Sequence, residues 1–159
     1  MHRRHQVLWG RGKKKSYLGI EIRSIFGNVI FRSTKTTFVE AIRDAYLSKA
    51  DLREADLRGV NLRGVNLSGV DFRGADFSGS NLRGSNFREV DFSGADLSEA
   101  DLSEADLSEA DLSGAKFLGA NFREAELMSA KFYGKGGTKQ LKKSQLPDFL
   151  GALGFVIVD

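Results

Sequence analysis

The sequence predicts a mainly β solenoid, a chain wound into stacked coils around an interior filled by its own side chains. Three observations lead there. Seventeen five-residue units run unbroken from Ala50 to Gly134. The third position is always Leu or Phe: Leu52, Leu57, Leu62, Leu67, Phe72, Phe77, Leu82, Phe87, Phe92, Leu97, Leu102, Leu107, Leu112, Phe117, Phe122, Leu127 and Phe132. The first position is Ala, Val or Ser, and the second is Asp or Asn except at Lys116, Glu126 and Lys131.

The period excludes the ordinary elements. Five steps on an α-helix leave successive Leu/Phe side chains about 140° apart, so no stripe forms. On a strand an odd period throws them to alternate faces. A chain that turns a corner in every unit satisfies the pattern. Small-x-large is an inward step of strand type, and the Ser/Arg and Gly/Glu positions that follow make the outward turn. Gly stands at the fifth position in roughly half the units, where it relieves strain if φ becomes positive.

The unit Ala-(Asp/Asn)-(Leu/Phe)-(Ser/Arg)-(Gly/Glu) resembles the motif of the pentapeptide-repeat proteins, and the resemblance covers residues 50–134. It implies a right-handed quadrilateral β-helix with four units per coil and about four coils. The spacing alone demands only an integer. With four per coil, Leu52, Phe72, Phe92, Leu112 and Phe132 stack in one internal ladder. Leu57, Phe77, Leu97 and Phe117 stack in another, and Asp51, Asp71, Asp91 and Asp111 align outside.

A solenoid needs its open ends covered. Four segments are expected: a basic flexible arm at 1–15, a hairpin-helix cap at 16–49, the solenoid at 50–134 and a C-terminal cap at 135–159. In the first cap, Tyr17–Ile22 and Val29–Phe31 around Phe26-Gly27-Asn28 read as a β-hairpin. Thr37 followed by Glu40 reads as a capping box opening a helix over 37–48. Ala45–Lys49 either begins the repeats or ends that helix. At the other end, Gly134–Gly137 breaks the pattern and Leu146–Leu153, with Pro147 near its start, suggests a short helix. Phe155–Val158 suggests a strand for the last coil or for a second molecule, so the chain is expected to be a monomer or a dimer through this end.

Composition removes much chemistry. The 159 residues contain no Cys, which excludes disulfides, thiolate metal sites and thiol nucleophiles. His2 and His5 are the two histidines, and both fall in the arm. No Gly-rich phosphate loop or nucleophile elbow stands out. No catalytic residue, cofactor or metal is therefore expected. No apolar run approaches the roughly 18 residues that span a bilayer, and no secretory signal is read, so the expected setting is cytoplasmic, with no membrane partner.

The net charge of +3 hides a segregation. Residues 1–44 hold ten Lys/Arg against three Asp/Glu, whereas residues 45–134 hold ten against sixteen. Residues 91–114 carry eight acidic side chains and no basic one: Asp91, Asp96, Glu99, Asp101, Glu104, Asp106, Glu109 and Asp111. These eight are the candidate interaction surface, an acidic belt just over one coil deep. Asp and Asn also occupy a turn-stabilising slot, which explains their recurrence without any binding role.

The expected function is a non-catalytic interaction scaffold, a charged rigid rod whose partner is another protein. The resemblance supplies an alternative, a DNA-mimicking modulator of type II topoisomerase (gyrase) of the quinolone-protection type. Such mimicry needs a long negative surface, and this rod is short with a neutral to basic first half. A second alternative is nucleic-acid binding through the arm, which carries Arg3, Arg4, Arg11, Lys13, Lys14, Lys15 and Trp9.

Overall fold

The period of five becomes a period of twenty in three dimensions. A computed structural model describes residues 19–132 and 146–152. From Asp56↔Asp76 to Asp111↔Lys131, every bridge between second-position residues is parallel and spans twenty residues, so four units close one coil. The coil has four faces. Face 1 carries Asp71, Asp91, Asp111 and Lys131, with Asp51 one coil earlier; face 2 carries Asp56, Asp76, Asp96 and Lys116. Face 3 carries Asn61, Asn81, Asp101 and Asn121, and face 4 carries Asn66, Asn86, Asp106 and Glu126.

Backbone hydrogen bonds repeat from coil to coil. Leu57 N donates to Asp76 O at 2.8 Å, Asp76 N to Ala55 O at 2.9 Å, and Gly59 N to Ser78 O at 2.9 Å. Each corner is a β-turn closed from the first position of one unit to the third of the unit before, as from Ala75 N to Phe72 O at 3.0 Å. The fifth position of every described unit has positive φ, Glu54, Glu99, Glu104 and Glu109 included. That geometry is natural for Gly and strained for any other residue.

The first and third positions point inward, as the sequence predicts. Every third-position side chain from Leu52 to Leu127 is at most 2% exposed. Phe72 stacks on Phe92 with centroids 5.7 Å apart, and Phe77 meets both rings edge-on at 5.0 and 5.4 Å. Side chains twenty residues apart thus form the core ladders, and the apolar area they remove from water drives winding of the coil.

The hairpin forms from β1 (Ile20–Arg23) and β2 (Val29–Ser33), antiparallel, with Gly27 at φ 86 in its turn. The first strand begins three residues later than the apolar segment suggested and ends one later, the second begins at Val29 as expected and ends two residues later, and Tyr17 and Leu18 lie outside the described residues. The hairpin pairs with the first coil on face 2 through Ser24↔Ala55, with Asp56 N donating to Arg23 O and Ile25 N to Glu54 O, both at 2.7 Å.

Helix α1 (Phe38–Leu47) follows and buries Ala41, Ile42 and Ala45. Thr37 Oγ1 accepts from Glu40 N at 3.3 Å and donates to Glu40 Oε2 at 2.8 Å, so the carboxylate grips the cap's hydroxyl. The helix claims Ala45–Leu47, and Leu47 is 71% exposed where a third-position residue would be buried. Lys49 nevertheless has the positive φ of a fifth position, 53°, so the turn to the first coil already follows the repeat.

Helix α2 (Leu146–Ala152) meets the last coil through Phe149. Its ring stacks on Phe117 at 5.6 Å and meets Phe122 and Phe132 edge-on at 5.3 and 5.6 Å. The arm at 1–15, the glycine break at 134–137 and the strand at 155–158 lie outside the described residues.

Candidate interaction surface

The second position is a turn slot first. Its Oδ1 accepts the backbone N–H two residues on in every Asp and Asn unit from Asp51 to Asp111, and again at Asn121. The distances run from 2.8 Å at Asp111 to 3.5 Å at Asp56. Asp and Asn place an oxygen at that reach, and Ser and Thr hydroxyls do so only more weakly. What remains to face outward is one carboxylate oxygen on Asp, or an NH2 group on Asn.

That difference decides what the neighbouring Arg does. After Asp, Arg forks back onto the carboxylate: Arg58 on Asp56 with both contacts at 2.7 Å, Arg73 on Asp71 at 2.9 and 2.7 Å, and Arg53 on Asp51 likewise. The Arg53 hydrogen bonds hold the Asp51 carboxyl down at about 2, and Arg73 lowers that of Asp71. After Asn there is no carboxylate to grip. Arg83 and Arg88 reach instead to the coil that follows, Arg83 to Glu104 at 2.5 Å and Arg88 to Glu109. Arg63, after Asn61, makes no ion pair among the described residues.

The eight belt residues do encircle the rod. Asp91 and Asp111 lie on face 1, Asp96 on face 2, Asp101 on face 3 and Asp106 on face 4, while Glu99, Glu104 and Glu109 mark the corners between. Cations from adjoining coils interleave with them. Arg73 stands 3.6 Å from Asp91, Lys116 3.4 Å from Asp96, and Arg83 and Arg88 hold Glu104 and Glu109. Burial acts to raise the Asp96 carboxyl, but the Ser98 bonds and the Lys116 ammonium outweigh it and the net shift is down. Asp101 accepts from Ser103 Oγ at 2.6 Å and Asn121 Nδ2 at 3.0 Å. The belt is continuous in sequence and partly neutralised in space.

Sequence reasoning missed these coil-to-coil pairs. Their signal is a fourth-position Arg and a Glu twenty-one residues later, visible only once the coil is known to close at four units. Fourth-position residues were expected outside, yet Ser103 is 5% and Ser108 0% exposed. They sit one coil beyond Arg83 and Arg88, whose side chains extend past them to the neighbouring glutamates. Arg83 Nε and Ser108 Oγ are buried there without a hydrogen-bond partner among the described residues.

The family model for pentapeptide repeats matches residues 42–79, 71–108 and 105–134 in eight copies. The chain belongs to the pentapeptide repeat family. Its solved members include a pentapeptide repeat protein from Nostoc PCC 7120, 33% identical over 67% of this chain and 96% of its own, with a TM-score of 0.51. Another is from the Arabidopsis thaliana thylakoid lumen, 32% identical over 63% of this chain and 73% of its own, also at 0.51. Comparison with curated proteins found no match. The pentapeptide repeat neighbours give the solenoid its architecture, a right-handed quadrilateral β-helix. QnrB1, a plasmid-mediated fluoroquinolone resistance protein, shares 18% identity over 63% of this chain and 66% of its own at a TM-score of 0.24. Among the described residues, no helix is long and apolar enough to cross a membrane, and no group of His, Cys, Asp or Glu is placed to hold a metal ion.

Proposed function

We propose that this pentapeptide repeat protein is a non-catalytic interaction scaffold, a rigid charged rod that contacts another protein through its outward positions. The observation that supports this best is the repeated turn bond. It pins one atom of each Asp and Asn, so the remaining outward atoms stand in columns about 4.8 Å apart along four faces. Groups held in place before a partner arrives lose little conformational entropy on binding. The family's general character, structural and interacting rather than catalytic, agrees with it.

The belt remains the surface to test, and the structure selects the substitutions. Reversing Glu104 or Glu109 breaks a pair with Arg83 or Arg88, so a loss of binding there would have two causes. Asn in place of Asp keeps the turn bond and removes only charge. Capture from lysate, with cross-links mapped onto the chain, is compared between the intact protein and an Asp101→Asn/Asp106→Asn/Asp111→Asn variant. A partner cross-linked at the belt and lost by the variant supports the reading. Equal capture by both removes the belt from it. The topoisomerase reading calls for an unbroken negative surface, and cations interrupt this one; supercoiling unchanged at micromolar protein would eliminate it.

A further inference from the structure

Closure of the coil sorts the second-position residues by face. In the first two coils, faces 1 and 2 carry Asp51, Asp71, Asp56 and Asp76, whereas faces 3 and 4 carry Asn61, Asn81, Asn66 and Asn86. The neighbouring positions sharpen the division. Residues 60–69 and 80–89 hold three arginines against one acid, and residues 50–59 and 70–79 hold three against five. The one acid, Glu89, marks the corner where face 4 turns towards face 1. The two kinds alternate every ten residues along the chain, so a linear count hides what the fold separates.

The turn bond fixes which way each amide points. Oδ1 of Asn61, Asn66, Asn81 and Asn86 accepts the N–H two residues on, at 3.0–3.2 Å. Each NH2 group is therefore left outside, and none of the four donates to an acceptor among the described residues. Arg63, between Asn61 and Asn66 in the chain, is exposed and makes no ion pair among the described residues. Arg83 and Arg88, one coil on, lean towards Glu104 and Glu109. The result is a corner of N–H donors, recurring about 4.8 Å apart along each face, with no carboxylate among them.

We propose that faces 3 and 4 of the first two coils bind an acidic segment of a partner protein, its carboxylates taken by the four Asn NH2 groups and Arg63. An ionised carboxylate only accepts, so it complements a surface that only donates. Nucleic acid fits this corner less well. Phosphate backbones are held by dense Lys and Arg, and among the described residues Arg63 is the corner's one guanidinium outside an ion pair. Base stacking needs an exposed ring, and Phe87, the one aromatic side chain of these units, is buried. The inference rests on the scaffold reading for the kind of partner, a protein, but uses a surface apart from the belt. Failure of belt capture therefore leaves it standing, and its own failure leaves the belt to be judged by capture.

The test titrates a fluorescein-labelled oligoglutamate peptide with the full chain at physiological salt and reads its anisotropy. Asn61→Asp/Asn66→Asp keeps both turn bonds, because Asp makes the same bond elsewhere in the rod. It replaces two donors by carboxylates, and the first of them should draw Arg63 back as Asp56 draws Arg58. Peptide binding should weaken by about tenfold or more, since like charges then face each other. Lys131→Glu alters the net charge by the same amount on face 1 of the last coil, more than a Debye length from Asn61 and Asn66, and should change binding by less than about twofold. Circular dichroism checks that each variant keeps the fold. No binding up to about 1 mM overturns the proposal. So does binding that survives Asn61→Asp/Asn66→Asp, which would place the peptide elsewhere, or an equal loss with Lys131→Glu, which would make the effect one of net charge. A single-stranded oligonucleotide of equal charge that binds more tightly than the peptide, and is lost by the same double variant, would reassign the corner to nucleic acid and overturn it equally.

Discussion

Arg83 and Glu104 are twenty-one residues apart in sequence and 2.5 Å apart in space, one coil and one step along the rod. Arg88 and Glu109 repeat the relationship at the next corner. Both glutamates occupy left-handed backbone, φ 60° and 63°, at a position that Gly fills one coil before Glu104, at Gly84, and one unit after Glu109, at Gly114. A side chain in that region costs roughly 1 kcal/mol or more, and an exposed ion pair returns at most about that. The pairs therefore compensate for strain that the glutamates themselves introduce.

This balance predicts the order of two substitutions at one site. Glu104→Ala keeps the strain and loses Arg83, so it should destabilise the rod by about 0.5–1 kcal/mol. Glu104→Gly loses the same pair but relieves the backbone, and should be more stable than Glu104→Ala by about 1 kcal/mol. Urea unfolding of the two variants decides it. An Ala variant as stable as the Gly variant would mean that the corner is not strained.

Phe149 is the aromatic contact between α2 and the last coil. Its ring is half-buried, so Phe149→Ala should cost about 2–3 kcal/mol, towards the low end of such truncations. In a solenoid each coil depends mainly on its neighbours, so the loss should stay local. Hydrogen exchange should quicken over residues 112–132 and remain unchanged over residues 55–75. Uniform quickening along the rod would show that it unfolds as one unit.

Acid should loosen the forked pairs of face 1. The Asp51 carboxyl lies at about 2 in the folded rod against 3.8 for a free one, and Arg53 is the main cause. A depressed group contributes stability above its unfolded value, and that contribution is lost as pH falls through the folded one. The thermal midpoint should therefore decline between pH 3.8 and about 2 on account of Asp51, with no contribution from it to changes between neutrality and pH 5. Asp51→Asn keeps the turn oxygen and should flatten that limb, whereas an unaltered limb would assign the acid sensitivity elsewhere.

Much of the rod was legible from residues close together in sequence. The inward pair at the first and third positions, the oxygen in the Asp/Asn slot and the turn at the fifth position each depend on five consecutive residues, and all three stand as read. Thr37 and Glu40 announced α1 for the same reason, since a cap is made within one helical turn. The belt at residues 91–111 was legible as composition but not as a surface, because its charge depends on Arg73, Arg83, Arg88 and Lys116 in other coils.

By itself the sequence determined that the chain turns a corner every five residues with two side chains inside, because alternation, turn chemistry and burial are settled unit by unit. Only the tertiary structure decided which outward groups meet. The closure of the coil at four units sets an offset of twenty, and a period of five is compatible with other closures. Among the described residues the backbone N–H and C=O of Asn61, in the first coil, make no backbone hydrogen bond, while the hairpin covers Asp56 one face away. Strand edges and ion pairs are satisfied by neighbours in space, and the local repeat carries no information about which neighbour arrives.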